Sequence, residues 1–201
     1  MPEFYFNSNT RLHPKFIKSK EFKEFEKFIV TQCTSTPKDL NWLKKVIYEW
    51  NDNVRHLGYW MANFDVVNDV IVEINAVIVL NLFYLRTLEE LKQTFSHEYG
   101  HHWTLSYFAK SNNIEKLNKV CLPKEYYIER GLDCGLYNPG YKSDDDSWFF
   151  TDKEVIAEDY RVLFSPYNNK HKMDNEKNKL EMPSVNVADF IWNLAKPSNC
   201  W

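Results

Sequence analysis

Three of the six histidines of this protein lie within the segment "SHEYGHH" at 96–102. His97 and His101 are four positions apart, so on a helix both imidazoles project from one face about one turn apart. Two imidazole nitrogens in that arrangement can bind one zinc ion at roughly 2.0–2.1 Å. His102 points away from that face. We expect it to pack against other side chains or to contact a metal-binding residue, rather than to bind the same ion.

Glu98 follows the first of these histidines directly and is rotated about 100° around the helix axis. That offset keeps its carboxylate from binding the metal but leaves it near the open position, where a water molecule would sit. The pattern H-E-x-x-H therefore predicts Glu98 as a general base. Chance would produce such a pattern only roughly 0.025 times in a chain with 6 histidines and 28 acidic residues among 201.

A catalytic zinc ion needs a third protein ligand and a free fourth position. No histidine occurs between His102 and His171, so the candidates are carboxylates, and they narrow to "EVIAEDYRVLF" at 154–164. Glu154 and Glu158 are four positions apart and share one helical face, where two like charges repel. If Glu154 binds the metal, Glu158 can accept the N–H of a liganding histidine and fix its tautomer.

The histidine pair and the glutamate pair both lie in segments that are predicted to be helices. A helix is predicted over 88–110, because Thr87 and Glu90 form a capping box at its start. Gly100 costs this helix about 1 kcal/mol relative to alanine, so we expect that it makes room for another segment to approach. Ala157 would let the helix carrying the glutamates pack closely at that point.

Other segments predict an α+β domain with a small sheet. Residues 16–33 form an amphipathic pattern, and a second helix is predicted over 37–57, ending at Gly58. Residues 66–84 are rich in β-branched side chains and predict one or two buried strands. The helix carrying the glutamates is predicted to end before Pro166, and a short apolar helix is predicted in the tail, "VADFIWNLAKPSNCW".

Composition favours one packed domain over the whole range 1–201, since 44% of residues are hydrophobic and 16% aromatic. We divide it into an N-terminal helical elaboration (1–60), a catalytic core (61–166), and a loop with a C-terminal helix (167–201). A net charge of −3 provides no basic field for nucleic acid or an anionic membrane. Lys-rich 168–179 lacks stacking aromatics, so we expect no nucleic-acid partner.

Targeting and redox features favour a cytoplasmic protein. The N-terminus lacks the apolar core of a secretory signal, and the most apolar stretch, 70–85, is interrupted by polar side chains that disfavour a membrane span. The four cysteines lie far apart without a C-x-x-C pair, which favours reduced thiols. They are Cys33, Cys121, Cys134 and Cys200. A structural zinc at Cys121 and Cys134 would lack a second ligand close to either.

The combination of H-E-Y-G-H at 97–101 with E-V-I-A-E at 154–158 resembles the gluzincin branch of the zincin metallopeptidases. The form E-x-x-A-E-x-aromatic is similar to that of the lethal-factor-like and Pro-Pro endopeptidase group, with a looser likeness to phage repressor-cleaving peptidases. The resemblance covers about sixty residues. It implies a zincin-like domain, a small mixed sheet packed on the two site helices, and an extended substrate paired to the edge of a strand within 70–82. It also implies roles for five residues. His97, His101 and Glu154 would bind the metal, Glu98 would act as the base, and Glu158 would contact a liganding histidine.

One role known in lethal-factor-like enzymes has no obvious residue here. Those enzymes use a tyrosine about seven residues before the ligand glutamate to assist the transition state, and this chain has Ser147 at that spacing. Tyr137, Tyr141 and His171 are the remaining candidates.

Two functional hypotheses follow. The first is a zinc-dependent hydrolase, specifically a peptidase acting on a peptide or protein substrate through a water molecule activated by zinc and Glu98. The second is a zincin-like fold that binds a protein partner, with metal absent or structural; the unfilled tyrosine role and the unmatched flanking helices support it. The sequence leaves substrate specificity and oligomeric state open.

Overall fold

A computed structural model describes residues 2–7, 20–31, 37–133, 151–165 and 180–196. Within these ranges the chain forms one four-stranded mixed sheet and six α-helices, which confirms the predicted α+β class. The strands are β1 (Glu3–Phe6), β2 (Leu43–Glu49), β3 (Gly58–Val67) and β4 (Val70–Asn81). The helices are α1 (Lys20–Thr31), α2 (Pro37–Trp42), α3 (Leu88–Asn112), α4 (Lys124–Arg130), α5 (Asp152–Phe164) and α6 (Val185–Leu194).

The sheet has the strand order β1-β2-β4-β3, in which β3 is an outer strand. β1, β2 and β4 are parallel neighbours, whereas β3 runs antiparallel to β4. A two-residue turn joins β3 to β4, and both of its residues have positive φ, 50° at Asn68 and 60° at Asp69. Turns of this kind match the right-handed twist of a hairpin, and Asn and Asp tolerate the left-handed conformation.

The predicted helix over 37–57 is wrong beyond Trp42. Residues 43–49 form β2, which pairs with β1 on one side and β4 on the other. Val46 and Tyr48 are fully buried and two positions apart, so the burial pattern here has the period of a strand. Strand pairing to distant segments overrides the helical spacing of the apolar residues. The range 1–60 therefore contributes two whole strands and the start of β3 to the sheet as well as two helices.

The predicted β region is confirmed in part, since β4 lies within 66–84, but β3 begins at Gly58, well before that range. The resemblance placed the substrate-pairing strand within 70–82. β4 is an inner strand that pairs with β3 over 70–80 and with β2 over 76–81, so only residues 70–75 lack a strand partner on the β2 side, and the placement stays a prediction. The outer strand at this end of the sheet is β3.

Helices cover one face of the sheet and position the site. α1 lies within the predicted range 16–33, and it packs Phe25 against Phe95 of α3 with ring centroids 5.9 Å apart. α3 begins with the predicted capping box of Thr87 and Glu90. α5 packs along α3, and α6 lies against both. Among the described helices, none has the length and apolar character needed to cross a membrane.

Candidate metal centre

The two helices α3 and α5 bring together three side chains that could hold a metal ion. His97 and His101 come from α3 and Glu154 from α5, and one ligand atom of each lies within 4.8 Å of the others. Glu154 Oε2 is 3.1 Å from His97 Nε2, and Glu154 Oε1 is 3.4 Å from His101 Nε2. No other group of three or more such residues occurs in the described ranges.

These donors are of the kinds that hold a divalent metal ion. Two imidazole nitrogens and one carboxylate oxygen form a known donor set of catalytic zinc, which keeps a fourth position for water or substrate. Donors bound tetrahedrally at roughly 2.0–2.1 Å lie about 3.3 Å apart. Each histidine Nε2 lies at about that distance from one oxygen of Glu154, His97 from Oε2 at 3.1 Å and His101 from Oε1 at 3.4 Å.

Glu154 is positioned by the start of α5. The side chain of Thr151 caps this helix by accepting a hydrogen bond from the Glu154 backbone N–H. A carboxylate in the first turn is also stabilised by the helix dipole. Burial acts to raise the pKa of Glu154, but the charges and hydrogen bonds of His101 and His97 outweigh burial and hold it below its ordinary range.

Glu158 lies behind His97, one turn after Glu154. Its Oε2 is 3.0 Å from His97 Nδ1, which leaves Nε2 of that ring directed at Glu154. Arg161 binds both Glu158 oxygens, with Nε donating to Oε2 at 2.9 Å and Nη2 donating to Oε1 at 2.7 Å. Burial acts to raise the pKa of Glu158, but the hydrogen bonds from His97 and Arg161 outweigh burial and lower it. Glu158 therefore stays ionised although it is fully buried.

His97 carries a proton on both nitrogens when no metal is bound. Burial acts to lower its pKa, but hydrogen bonds to Glu154 and Glu158, together with the charges of Glu154 and Glu98, outweigh burial and raise the pKa to about 10. A metal ion binding at Nε2 must displace one of these protons.

Gly100 permits direct backbone contact between the two helices, which confirms the predicted close approach at Ala157. A Cβ at position 100 would overlap the carbonyl oxygen of Ala157 and lie 3.0 Å from its Cα. A second contact joins the same helices, where Ser165 Oγ donates to Ser96 Oγ at 2.9 Å. The separation of the histidines from Glu154 is therefore set by backbone packing.

The candidate base, Glu98, lies beside the first residue of the outer strand. Its side chain is on the buried side of α3, and the residue is only 6% exposed. A Cβ on Gly58 would lie 3.3 Å from Glu98 Cγ and 2.8 Å from the backbone oxygen of Val79. Glycine at this position therefore allows β3 to start directly next to the glutamate.

Sequence reasoning missed two residues of the site. Arg161 pairs with Glu158 three residues earlier, a spacing that could have identified it. Trp60 lies on β3 with its ring 6.5 Å from that of His101 at an interplanar angle of 15°, and its Nε1–H donates to His102 Nδ1 at 3.3 Å. The half-buried residues at 60, 62, 64 and 66 alternate with exposed ones, and this period-two pattern could have indicated β3. His102 packs away from the metal donors, in agreement with the expectation from its position.

Several predicted residues lie outside the described ranges. They include all three candidates for the missing tyrosine role, the residue at the expected spacing, and three of the four cysteines: Tyr137, Tyr141, His171, Ser147, Cys33, Cys134 and Cys200. Cys121 is described, and it is exposed as a free thiol.

Comparison with protein-family models, with curated proteins and with solved structures finds no match for this chain. The chemical interpretation of the centre therefore depends on the geometry of its own residues.

Proposed function

We propose that this protein is a zinc-dependent hydrolase, specifically a peptidase of the gluzincin type. The observation that carries the proposal is the convergence of His97, His101 and Glu154, whose ligand atoms lie within 4.8 Å of one another. A buried carboxylate next to this convergence, Glu98, supplies the base that hydrolysis requires. The ionised Glu158 orients His97, as a carboxylate behind a liganding histidine does in zinc enzymes.

A zinc ion held by these residues would polarise a scissile carbonyl and lower the pKa of a water molecule toward neutrality. Glu98 accepts a proton from the attacking water at its carboxylate and later donates that proton to the leaving amine. Glu98 is only 6% exposed, so its carboxylate is shielded from bulk water.

The outer strand β3 favours a peptide as the substrate. Its first residue, Gly58, lies against Glu98, so the strand edge and the candidate base are adjacent. An outer strand can bind an extended peptide through backbone hydrogen bonds, which hold the chain independently of its sequence. A peptide held in that way would have its backbone carbonyl groups near the metal donors.

Metal analysis and digestion of a peptide library test this proposal. We expect one zinc per chain and cleavage that a chelator abolishes and zinc restores. Glu98→Gln should keep the zinc and lose cleavage by at least about 100-fold, the scale of general-base catalysis. Undiminished cleavage by this variant would remove Glu98 as the base.

A second candidate, a protein-binding domain with a structural metal, has one observation in its favour. The side chains of His97, His101 and Glu154 are only 12%, 9% and 15% exposed, which limits the access of a protein substrate to the three donors. Bound zinc without cleavage of any peptide in the library would favour this candidate over the peptidase.

A further inference from the structure

His102, the third histidine of the cluster, connects α3 to two other segments. It is fully buried, and its Nδ1 accepts a hydrogen bond from Trp60 Nε1–H of β3 at 3.3 Å. Its Nε2 must then carry the proton, which it donates to the backbone oxygen of Asp39 in α2 at 2.8 Å. Both ring nitrogens are used in these contacts, so His102 is a link between segments.

The Asp39 end of this link is itself held in place. Asp39 is fully buried, and its side chain accepts a hydrogen bond from the hydroxyl of Tyr107, five residues after His102 on α3. The ring of Trp42, also in α2, packs against Tyr107 with centroids 5.0 Å apart. α2 is therefore attached to α3 at more than one point, and the oxygen that accepts from His102 has a defined position.

The Trp60 end of the link lies against a metal-binding residue. The indole is stacked beside the ring of His101, within 15° of parallel. His97 has Glu158 to orient it through Nδ1. Among the described residues, no carboxylate contacts Nδ1 of His101, and its ring lies between the His97 ring, with centroids 5.0 Å apart, and the indole, which can both limit its rotation.

We propose, on the basis of the proposed function, that Trp60 is a positioning residue that orients His101 and holds the outer strand beside the metal centre. β3 is bonded to the sheet only through β4. Its direct contact with α3 is made by the residues on its helix-facing side, and the Trp60 side chain is the part of β3 that reaches His101 and His102. The fixed link from Asp39 through His102 prevents the indole from turning.

Two substitutions and one matched control test this role. Trp60→Leu removes both the ring beside His101 and the hydrogen bond to His102, whereas Trp60→Phe removes only the hydrogen bond. Phe64→Leu is the control, because Phe64 lies four residues later on the same face of β3 and packs against the hydrophobic core. The readouts are the zinc dissociation constant, the visible absorption spectrum of the cobalt-substituted protein, and kcat and KM for a cleaved peptide.

We expect Trp60→Leu to weaken zinc binding by about tenfold, the lower end for residues behind metal ligands, and to change the cobalt spectrum. Trp60→Phe should weaken zinc binding less, by roughly threefold, and should raise KM more than it lowers kcat, because the ring remains while the strand is less firmly held. Phe64→Leu should lower the melting temperature without changing the zinc dissociation constant or the cobalt spectrum.

A folded Trp60→Leu protein with the zinc affinity and cobalt spectrum of the unmodified chain overturns the inference. If Trp60→Leu does not fold, the test depends on Trp60→Phe. A Trp60→Phe protein with the zinc affinity and the KM of the unmodified chain would then overturn the inference. If the unmodified protein binds zinc but cleaves no peptide, the peptidase proposal fails. The zinc dissociation constants and cobalt spectra of the variants would still test the role of Trp60. An unmodified protein that binds no zinc would overturn both proposals.

Discussion

Gly100 and Ala157 bring the backbones of α3 and α5 into direct contact next to the metal donors, and any Cβ at position 100 would overlap the Ala157 carbonyl oxygen. Glu154 lies one turn before Ala157 on α5, and His101 directly follows Gly100 on α3. The separation of these two helices therefore determines whether one ion can reach all three donors. Substitutions that push the helices apart should affect metal binding as well as stability.

Gly100→Ala is the most direct test of that relationship. Alanine gains about 1 kcal/mol in helix propensity, but the overlap forces the helices apart and should lower the free energy of unfolding by about 3 kcal/mol. We also expect weaker zinc binding than in the unmodified protein. Urea denaturation and zinc titration measure the two effects.

Ser106→Ala provides the control for this experiment on the same helix. Ser106 is buried, and its hydroxyl has no hydrogen-bond partner among the described residues. Removing the hydroxyl should leave the free energy of unfolding unchanged or slightly raised. Equal losses of stability in the two variants would contradict a specific role for the contact at Gly100.

Glu158→Gln and Glu154→Gln should separate metal binding from stability. Glu154→Gln removes a proposed ligand, so zinc binding should fall by more than about 100-fold. Glu158→Gln should weaken zinc binding by about 10- to 100-fold and also remove the carboxylate that binds the fully buried Arg161 through both oxygens. Breaking a buried ion pair by removing one of its partners costs about 3–5 kcal/mol. We therefore expect Glu158→Gln to be the less stable metal-free protein in urea denaturation, and the reverse order would contradict the assigned contacts.

Zinc affinity should increase steeply with pH. The pKa of His97 is raised to about 10 in the metal-free site, so below that pH zinc competes with one proton at this residue. The affinity should therefore fall by about tenfold for each unit of pH decrease below the pKa. Zinc titration in non-coordinating buffers at several pH values measures this slope, and an affinity independent of pH between neutral and mildly alkaline conditions would contradict it.

His102 should make the metal-free protein sensitive to acid. Burial lowers its pKa in the folded protein to about 4, against an ordinary value of 6.5, although contacts with Asp39 act in the opposite direction. Between these two pH values the unfolded chain takes up a proton that the folded protein excludes, so the free energy of unfolding falls as pH decreases. The loss attributable to this residue should reach about 2 kcal/mol at pH 5.

His102→Gln isolates that contribution, because glutamine can donate to Asp39 and accept from Trp60 but does not titrate. Urea denaturation at pH 8 and pH 5 should show a smaller loss of stability in this variant than in the unmodified protein, by about the same 2 kcal/mol. The carboxylates of the site are the same in both proteins, so they contribute equally to the two losses of stability. An identical loss in the two proteins would mean that His102 is not held neutral by the fold.

The candidate site was largely predictable because its geometry is local. The spacing of His97 and His101, and of Glu154 and Glu158, places each pair on one face of its helix whatever the rest of the chain does. The capping box at Thr87 depends in the same way on residues three positions apart. A glycine inside a helix indicated a close approach, and the approach is to the helix that carries the glutamates.

The sheet was less predictable because strand pairing joins residues distant in sequence. Leu43 to Glu49 have a spacing that fits a helix as well as a strand, and their pairing with β1 and β4 decides between the two. Trp60 contacts His102 across 42 residues, and no local pattern reports such a contact. The amino-acid sequence by itself determined which side chains face the same way on each site helix, because helical geometry is local. Only the tertiary structure decided that Glu154 meets the histidines, that Arg161 keeps Glu158 ionised, and which strand borders the site, because those depend on packing and desolvation between distant segments.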